Sequence, residues 1–166
     1  MDARVKRVET GNADRNAWVI GDDDEVIVVD PGEYADPVFD AIGDREIIAV
    51  ICTHGHAAHT GAAPAVAGRD ESPIALHPKD RLAWREAHNG ELPEIEMEDG
   101  GSFEVADVAL EVVHTPGHTP GSVCFALKSD EGGLVFTGDT LFRRGIGRTA
   151  AWFFAREKPD RISCTG

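Results

Sequence analysis

The chain has 166 residues, a formal net charge of −14 and a hydrophobic content of 42%. This length predicts a single domain over residues 1–166 with a substantial buried core. The negative charge argues against nucleic acid or an anionic membrane as a partner, and no apolar stretch of the sequence reaches transmembrane length. Three scattered cysteines and a polar N-terminal segment favour a reducing, cytoplasmic location.

The first third of the chain combines short strands with one helix. Apolar or β-branched runs predict strands at 5–8, 17–20, 25–30 and 47–53. A helix is expected at 35–43, because Val38, Phe39 and Ile42 fall on one face and Gly43 can end it.

The middle of the chain predicts two more helices with a strand between them. An alanine-rich helix is expected at 60–68, starting close to His59 and carrying Pro64 in its first turn. A strand at 73–77 precedes an amphipathic helix at 78–89, whose apolar side would include Leu82.

The last third changes to strands alone. Antiparallel strands are predicted at 102–105, 108–114, 122–127 and 134–137. Strands with interspersed helices, followed by a meander of strands, are typical of an α/β (α+β) sandwich in which mixed sheets carry helices outside.

Candidate metal ligands follow three of these predicted strands. Three of the seven histidines, His54, His56 and His59, stand directly after the strand at 47–53. His118 lies in a loop whose two prolines and two glycines restrict its path. Asp139 follows the strand at 134–137, behind a glycine that permits close backbone approach. Imidazole and carboxylate groups at strand ends predict a metal site, and three histidines suit a catalytic zinc ion.

These segments resemble the motifs of the metallo-β-lactamase superfamily, and within it the glyoxalase II-like hydrolases. The similarity is carried by His-Gly-His-Ala-Ala-His at 54–59, Thr-Pro-Gly-His-Thr at 115–119 and Phe-Thr-Gly-Asp-Thr-Leu-Phe at 136–142. Val-Asp-Pro-Gly at 29–32 is similar to that family's early strand and turn. The resemblance covers about residues 5–149 and implies an αββα sandwich with a metal site at one edge of the two sheets.

The resemblance also implies roles for individual residues. His54, His56 and His118 match the ligands of a first zinc ion. His59 matches a ligand of a second ion, and Asp139 matches the carboxylate that bridges the two and orients a zinc-bound hydroxide nucleophile.

Further residues would support this site. Asp30 matches a residue that orients a ligand imidazole through its other ring N–H. Arg143, Arg144 and Arg148 follow the bridging position, where similar proteins hold a thiol-derived substrate. Three arginines there would attract a small anionic substrate to an otherwise acidic protein.

Two departures from the family pattern bear on the second metal ion. Ala58 occupies the aspartate position of His-x-His-x-Asp-His, and no histidine follows His118. The second site would keep only His59 and Asp139, so we expect one well-held zinc ion and a second that is weak or absent. Residues 150–166 form a divergent tail, so an incomplete second half and self-association through an uncovered apolar edge are expected.

Three functions are compatible with these residues. The first is a hydroxyacylglutathione hydrolase-like enzyme that acts on a thioester or a similar activated acyl compound. The second is a degenerate protein of the same fold that binds metal without turnover, as the loss of the aspartate at Ala58 allows. The third is a persulfide dioxygenase with a single iron ion, which would use His54, His118 and Asp139.

Overall fold

The computed structural model describes residues 4–10, 16–88, 92–129 and 132–136, whose strands form two sheets. The first sheet contains, in spatial order, β1 (Arg4–Glu9), β2 (Asn16–Gly21), β3 (Glu25–Val29), β4 (Glu46–Ile51), β5 (Ile74–Leu76) and β6 (Ile95–Glu96). The second has the order β10-β9-β8-β7 and contains β7 (Ser102–Val105), β8 (Val108–His114), β9 (Val123–Ser129) and β10 (Gly132–Phe136). All neighbours in the second sheet are antiparallel, which confirms the predicted meander.

The first sheet is mixed. Strands β1, β2 and β3 are antiparallel neighbours, whereas β3, β4, β5 and β6 run parallel. Parallel neighbours need crossover connections, and helices supply them. The helical elements are α1 (Ala35–Ile42), α2 (Ala57–Thr60), α3 (Ala63–Arg69), a 3-10 turn (Pro78–Asp80) and α4 (Arg81–Ala87).

Two apolar clusters hold these layers together. One lies between the first sheet and the helices, and it includes Val26 and Val28 of β3. The other lies between the two sheets and includes Ile27 and Val29 of the same strand. Strand β3 is therefore buried on both faces, which explains its unbroken run of β-branched residues.

This α+β sandwich of two sheets with helices on one outer face agrees with the architecture that the sequence predicts. The tail at 150–166 lies outside the described residues, and the second helical layer of that expectation stays a prediction. The single-domain assignment of residues 1–166 stays a prediction.

Some local predictions differ from the structure. The helix expected at 60–68 is divided into α2 and α3, so His59 lies inside α2. Leu82 is 68% exposed, and α4 instead buries Trp84 against the helical layer. Strand β6 was not predicted, because its two residues stand in an acidic stretch that is typical of a solvated loop.

Parallel pairing decides where the site lies. Strands β3 and β4 run in the same direction, so their C-terminal ends meet at one edge of the first sheet. The second sheet reaches the same edge, because the Val123 N–H donates to the Thr53 carbonyl at 2.8 Å. Segments that follow β3, β4 and β8 therefore converge there.

Candidate metal centre

Three histidines from two separate segments come together at this edge. His54 and His56 follow β4, and His118 lies in the loop between β8 and β9. Each offers one ring nitrogen, and these nitrogens all lie within 4.8 Å of one another. His56 Nδ1 and His118 Nε2 are 3.2 Å apart. The structure thus brings together the three residues that the sequence assigns to the first metal ion.

The chemistry of this donor set fits a metal ion. Three imidazole nitrogens are the protein ligands of many catalytic zinc sites, with Zn–N distances of about 2.0–2.1 Å. Two nitrogens bound to one such ion cannot lie more than about 4.2 Å apart, so a small inward adjustment would let all three bind together. His54 is buried, whereas His56 and His118 are exposed, so the group is open to solvent on one side.

Asp30 organises the buried part of the site. Its carboxylate accepts hydrogen bonds from the Thr53 N–H at Oδ1 (2.8 Å) and from the Thr53 hydroxyl at Oδ2 (2.6 Å). The Thr53 hydroxyl donates its only proton to the Asp30 carboxylate. Thr53 Oγ1 is therefore the acceptor, and His54 Nδ1 the donor, in the 3.1 Å hydrogen bond between them. A neutral His54 ring then carries its lone pair on Nε2, the nitrogen that remains for a metal ion.

Asp30 adopts an unusual backbone conformation to do this. Its φ angle is +50°, in the left-handed region that only a small share of non-glycine residues occupy. Its N–H still donates to the Ile51 carbonyl at 3.1 Å, so the turn after β3 is tied to the end of β4. Strained residues persist where surrounding contacts hold them, often at functional sites.

His59 also contacts Asp30. Its Nδ1 lies 3.1 Å from Asp30 Oδ2, and its side chain is buried within α2. Among the described residues, the group able to hold a metal ion contains the three other histidines and not His59. The preceding residue in α2 is Ala58, whose methyl group cannot bind metal. The role of His59 as ligand of a second ion, and that of Asp30 as an orienting residue, stay predictions.

The loop that carries His118 is closed on itself. The Thr115 N–H donates to the Ser122 carbonyl across its base at 2.9 Å. Inside the loop, the Gly117 N–H donates to the Thr119 carbonyl at 3.1 Å. These bonds fix a compact turn, as the prolines and glycines of this segment predict.

Asp80 is a contributor that the sequence did not reveal. It is buried at the end of the 3-10 turn and hydrogen-bonds to both histidine-bearing segments, through Gly55 on one side and Thr119 and Gly121 on the other. An acidic residue before a helix is typical of an N-cap, so position alone gave no other signal.

A pair of stacked histidines supports the His118 loop from outside. The rings of His77 and His114 lie 4.2 Å apart and nearly parallel. His114 Nε2 is 3.0 Å from the Pro120 carbonyl, and His77 Nδ1 accepts from the Lys79 N–H. Burial, and then the neighbouring His114 and Lys79, lower the pKa of His77 below its ordinary value. The neutral form of His77 therefore suits the folded state.

Cys52 lies beside the site but does not suit nucleophilic chemistry. It is a free cysteine, fully buried in the helical-side cluster. Burial, and to a lesser extent the charge of Asp30, raise the pKa of its thiol well above the ordinary value. A thiol that stays protonated is a poor nucleophile, so Cys52 packs as a small apolar residue.

Several predicted residues fall outside the described part of the chain. Asp139, Arg143, Arg144 and Arg148 all follow residue 136, so their roles stay predictions. Among the residues that the structure describes, no helix is long and apolar enough to cross a membrane.

Comparisons with known proteins identify the family of the chain. Residues 10–164 match the family model described as the metallo-beta-lactamase superfamily. A Bacillus subtilis protein named "Probable metallo-hydrolase YqgX" is 32% identical over 158 residues, covering 87% of this chain and 74% of that protein. A hydroxyacylglutathione hydrolase from Aeromonas hydrophila is 34% identical over 137 residues, covering 81% of this chain and 50% of that protein.

The structural comparison gives the same fold. The crystal structure of BLEG-1, a B3 metallo-beta-lactamase, matches with a TM-score of 0.71 and 27% sequence identity. The match covers 94% of this chain and 85% of that one. The two-sheet sandwich is therefore that of a known fold.

Proposed function

This chain belongs to the metallo-beta-lactamase superfamily, and from that premise we propose that it is a metal-dependent hydrolase of a thioester or a similar activated acyl compound. The observation that carries the proposal is the group of His54, His56 and His118 at the sheet edge. The 34% identity to a hydroxyacylglutathione hydrolase supports the acyl-thiol substrate class. This chain spans half the length of that relative, so the substrate class belongs to the proposal.

The chain's own residues would prepare the site in three ways. His54, His56 and His118 would hold a zinc ion, which when bound acts as a Lewis acid and lowers the pKa of a bound water to about 7. Thr53 and Asp30 keep the proton of His54 on Nδ1, so Nε2 would be available to hold the ion without a change of tautomer. The exposed positions of His56 and His118 let a substrate approach from solvent. Asp139 would orient the nucleophile, as the family resemblance implies.

We propose a single well-held zinc ion. Ala58 removes one carboxylate from the place where a second ion would bind, and His59 directs Nδ1 toward Asp30. Two protein ligands, His59 and Asp139, would hold a second ion weakly. The three-histidine group would therefore hold the catalytic zinc ion.

We also propose a substrate class, partners and a location for the chain. The substrate is a small molecule, a thiol conjugate, which Arg143, Arg144 and Arg148 would help to hold. A net charge of −14 disfavours nucleic acid and anionic membranes. We place the reaction in the cytoplasm, and self-association of the chain is part of the proposal.

The test is thiol release from S-lactoylglutathione and from a panel of acyl thioesters. The purified chain is assayed as isolated, after chelation, and after zinc is restored. We expect turnover that the chelator removes and zinc restores. His118→Ala should abolish it, whereas His88→Gln, which changes a histidine outside the group, should retain it. Absence of chelator-sensitive turnover on every thioester would contradict the proposal.

Two rival functions give different results in the same preparation. Oxygen uptake with glutathione persulfide and Fe(II), without thioester turnover, would indicate the iron dioxygenase. Zinc binding without any turnover would indicate the degenerate protein, which Ala58 favours. In that case Ala58→Asp should raise the zinc content and produce activity, whereas in an active hydrolase it should change the stoichiometry more than the rate.

A further inference from the structure

Asp80 occupies a position that its own helix does not explain. It is the residue before α4, where an aspartate commonly caps the helix. Here the side chain makes no capping hydrogen bond, and the residue is only 1% exposed. Burial of a carboxylate is unfavourable unless donors surround it. The donors that surround Asp80 come from the two segments that carry the metal-site histidines.

Three donors converge on this carboxylate. On one side, the Gly55 N–H donates to Asp80 Oδ2 at 2.8 Å, and Gly55 stands between His54 and His56. On the other side, the Thr119 hydroxyl donates to Oδ2 at 2.7 Å and the Gly121 N–H donates to Oδ1 at 2.7 Å. One carboxylate thus joins both segments that supply the ligand histidines.

Two glycines allow this close approach. A Cβ atom at Gly121 would lie 2.8 Å from Asp80 N and from Asp80 Oδ1, which is shorter than the contacts that Cβ atoms make with nitrogen or oxygen. A Cβ atom at Gly55 would lie 3.0 Å from the Asp80 carbonyl oxygen and from Ala83 Cβ. Both glycines are therefore explained by Asp80 and the start of α4, not by a special backbone angle.

The hydrogen bonds continue into the His118 loop. Thr119 Oγ1 donates to Asp80, so at 2.7 Å it accepts from the Ser122 hydroxyl. Ser122 Oγ in turn accepts from the Thr119 N–H at 3.0 Å. Every proton in this small network has an acceptor, and the network ends on Asp80. Residues 119–122 therefore take their position from the Asp80 carboxylate.

We propose that Asp80 is a positioning residue of the metal site, whose carboxylate holds the His118 loop against the His54–Gly55–His56 segment. The inference rests on the metal centre of the proposed function and adds the residue that sets the separation of its ligands. Asp80 does not belong to the group of three histidines that could hold the metal ion, and it acts through Gly55, Thr119 and Gly121.

Asp80→Asn is the sharpest variant, because it changes one oxygen to an NH₂ group. Whichever oxygen is replaced, the NH₂ group faces either the Gly121 N–H or the Gly55 N–H, and one segment loses its acceptor. The fold should survive, since the Val123 N–H still bonds to the Thr53 carbonyl. Gly121→Ala is the companion variant, which separates the same groups while the carboxylate remains.

Asp70→Asn is the matched control. Asp70 also accepts a backbone N–H, that of Ile47 at 2.9 Å, but near the start of β4, away from the histidines that follow its end. Its substitution changes a carboxylate that binds a backbone N–H and the Arg69 guanidinium, and it leaves both ligand segments untouched.

Two measurements test the proposal on the full chain. Zinc affinity is measured by competition with a chromophoric chelator, and amide hydrogen exchange of Gly55 and Gly121 is followed by NMR in the metal-free protein. In Asp80→Asn we expect zinc affinity to fall by about 10- to 100-fold. We also expect at least one of the two glycine amides to exchange faster. Gly121→Ala should act in the same direction, and Asp70→Asn should leave both readouts unchanged.

The outcomes separate this proposal from the proposed function. If Asp80→Asn only lowered the melting temperature, with zinc affinity and both amides like those of Asp70→Asn, Asp80 would be merely structural and the proposal overturned. If the chain hydrolysed no thioester, the proposed function would fail, but zinc affinity and the exchange of the two glycine amides would still test the role of Asp80. If the wild-type chain bound no zinc, the metal centre and this role would both fail, even with faster exchange in the variant.

Discussion

The inner and outer sides of the histidine group are built in different ways. On the inner side, buried His54 has its tautomer set through Thr53 by the Asp30 carboxylate. On the outer side, exposed His56 and His118 depend on segments whose backbones bond to Asp80. Asp30 thus acts on His54 through the Thr53 side chain, whereas Asp80 holds the two ligand segments through the Gly55 and Gly121 main-chain N–H groups and the Thr119 hydroxyl. The inner side should therefore couple metal binding to stability, whereas single rings on the outer side should affect metal binding alone.

Loss of an outer ligand should give the largest effect on metal binding. In His118→Ala, only two nitrogens of the group remain, so we expect zinc affinity to fall by more than the roughly 100-fold seen for residues that merely support ligands. The residue is exposed, so the free energy of unfolding should change by no more than about 0.5 kcal/mol. Chelator competition and urea unfolding measure the two quantities. A large loss of stability would show that the outer side is not independent of the fold.

Substitution of the inner aspartate should affect both quantities. Asp30→Asn leaves a buried amide where the carboxylate accepts two bonds from Thr53 and lies 3.1 Å from His59 Nδ1. We expect zinc affinity to fall by about 10- to 100-fold. The free energy of unfolding should fall by about 1–3 kcal/mol, the cost of one unsatisfied buried group. Asp70→Asn is again the control. A loss of zinc affinity in Asp30→Asn without a loss of stability, as expected for His118→Ala, would remove the distinction between the inner and outer sides.

A smaller change tests the tautomer of His54. Thr53→Val keeps the side-chain shape but removes the hydroxyl between Asp30 and His54. We expect about a 10-fold loss of zinc affinity, because the proton on Nδ1 is no longer held in place. NMR of the His54 ring nitrogens should show a mixture of tautomers in the metal-free variant. A single Nδ1–H tautomer in Thr53→Val would mean that Thr53 does not decide it.

The smallest effect concerns pH and the outer side. The pKa of His77 is lowered in the fold, so the unfolded chain binds a proton more readily as pH falls below about 6.5. Stability is therefore lost on acidification through that range, until the folded form also takes up the proton. His77→Asn cannot titrate, and its side chain can still accept from the Lys79 N–H as an N-cap.

Urea unfolding between pH 7.5 and pH 5 checks this expectation. The loss of stability on acidification should be smaller in His77→Asn than in the wild type. His88→Gln is a useful comparison, because burial also lowers the pKa of His88, whose ring contacts Thr60 and Trp84. Identical pH profiles for wild type and His77→Asn would show that the stacked pair does not carry the pH dependence.

The three histidines were predictable from the sequence, and their support by Asp80 was not. His54 and His56 share one segment after an apolar strand, and His118 has a proline- and glycine-rich loop, so local patterns and the family resemblance identify them. Asp80 bonds to residues 25, 39 and 41 positions away. Such contacts depend on how the two sheets pack, and the local hydrophobic pattern of the sequence does not predict that packing.

In the fold, too, local sequence patterns predicted some features, whereas features that depend on packing were missed. Strands with β-branched runs, such as β3, were predicted because burial on both faces leaves a clear pattern. The apolar side of α4 was predicted wrongly at Leu82, which is exposed to solvent, whereas Trp84 packs in the core as expected. The hydrophobic pattern along the sequence predicts whether an element is a helix or a strand. Which face of that element is buried depends on the elements that pack against it.

The most direct test of the account is the zinc content of the purified chain after exhaustive dialysis, measured beside His118→Ala. The account predicts about one tightly bound zinc ion per wild-type chain and close to none in the variant. Two tightly bound ions per chain, or equal zinc content in both proteins, would contradict a single centre held by His54, His56 and His118.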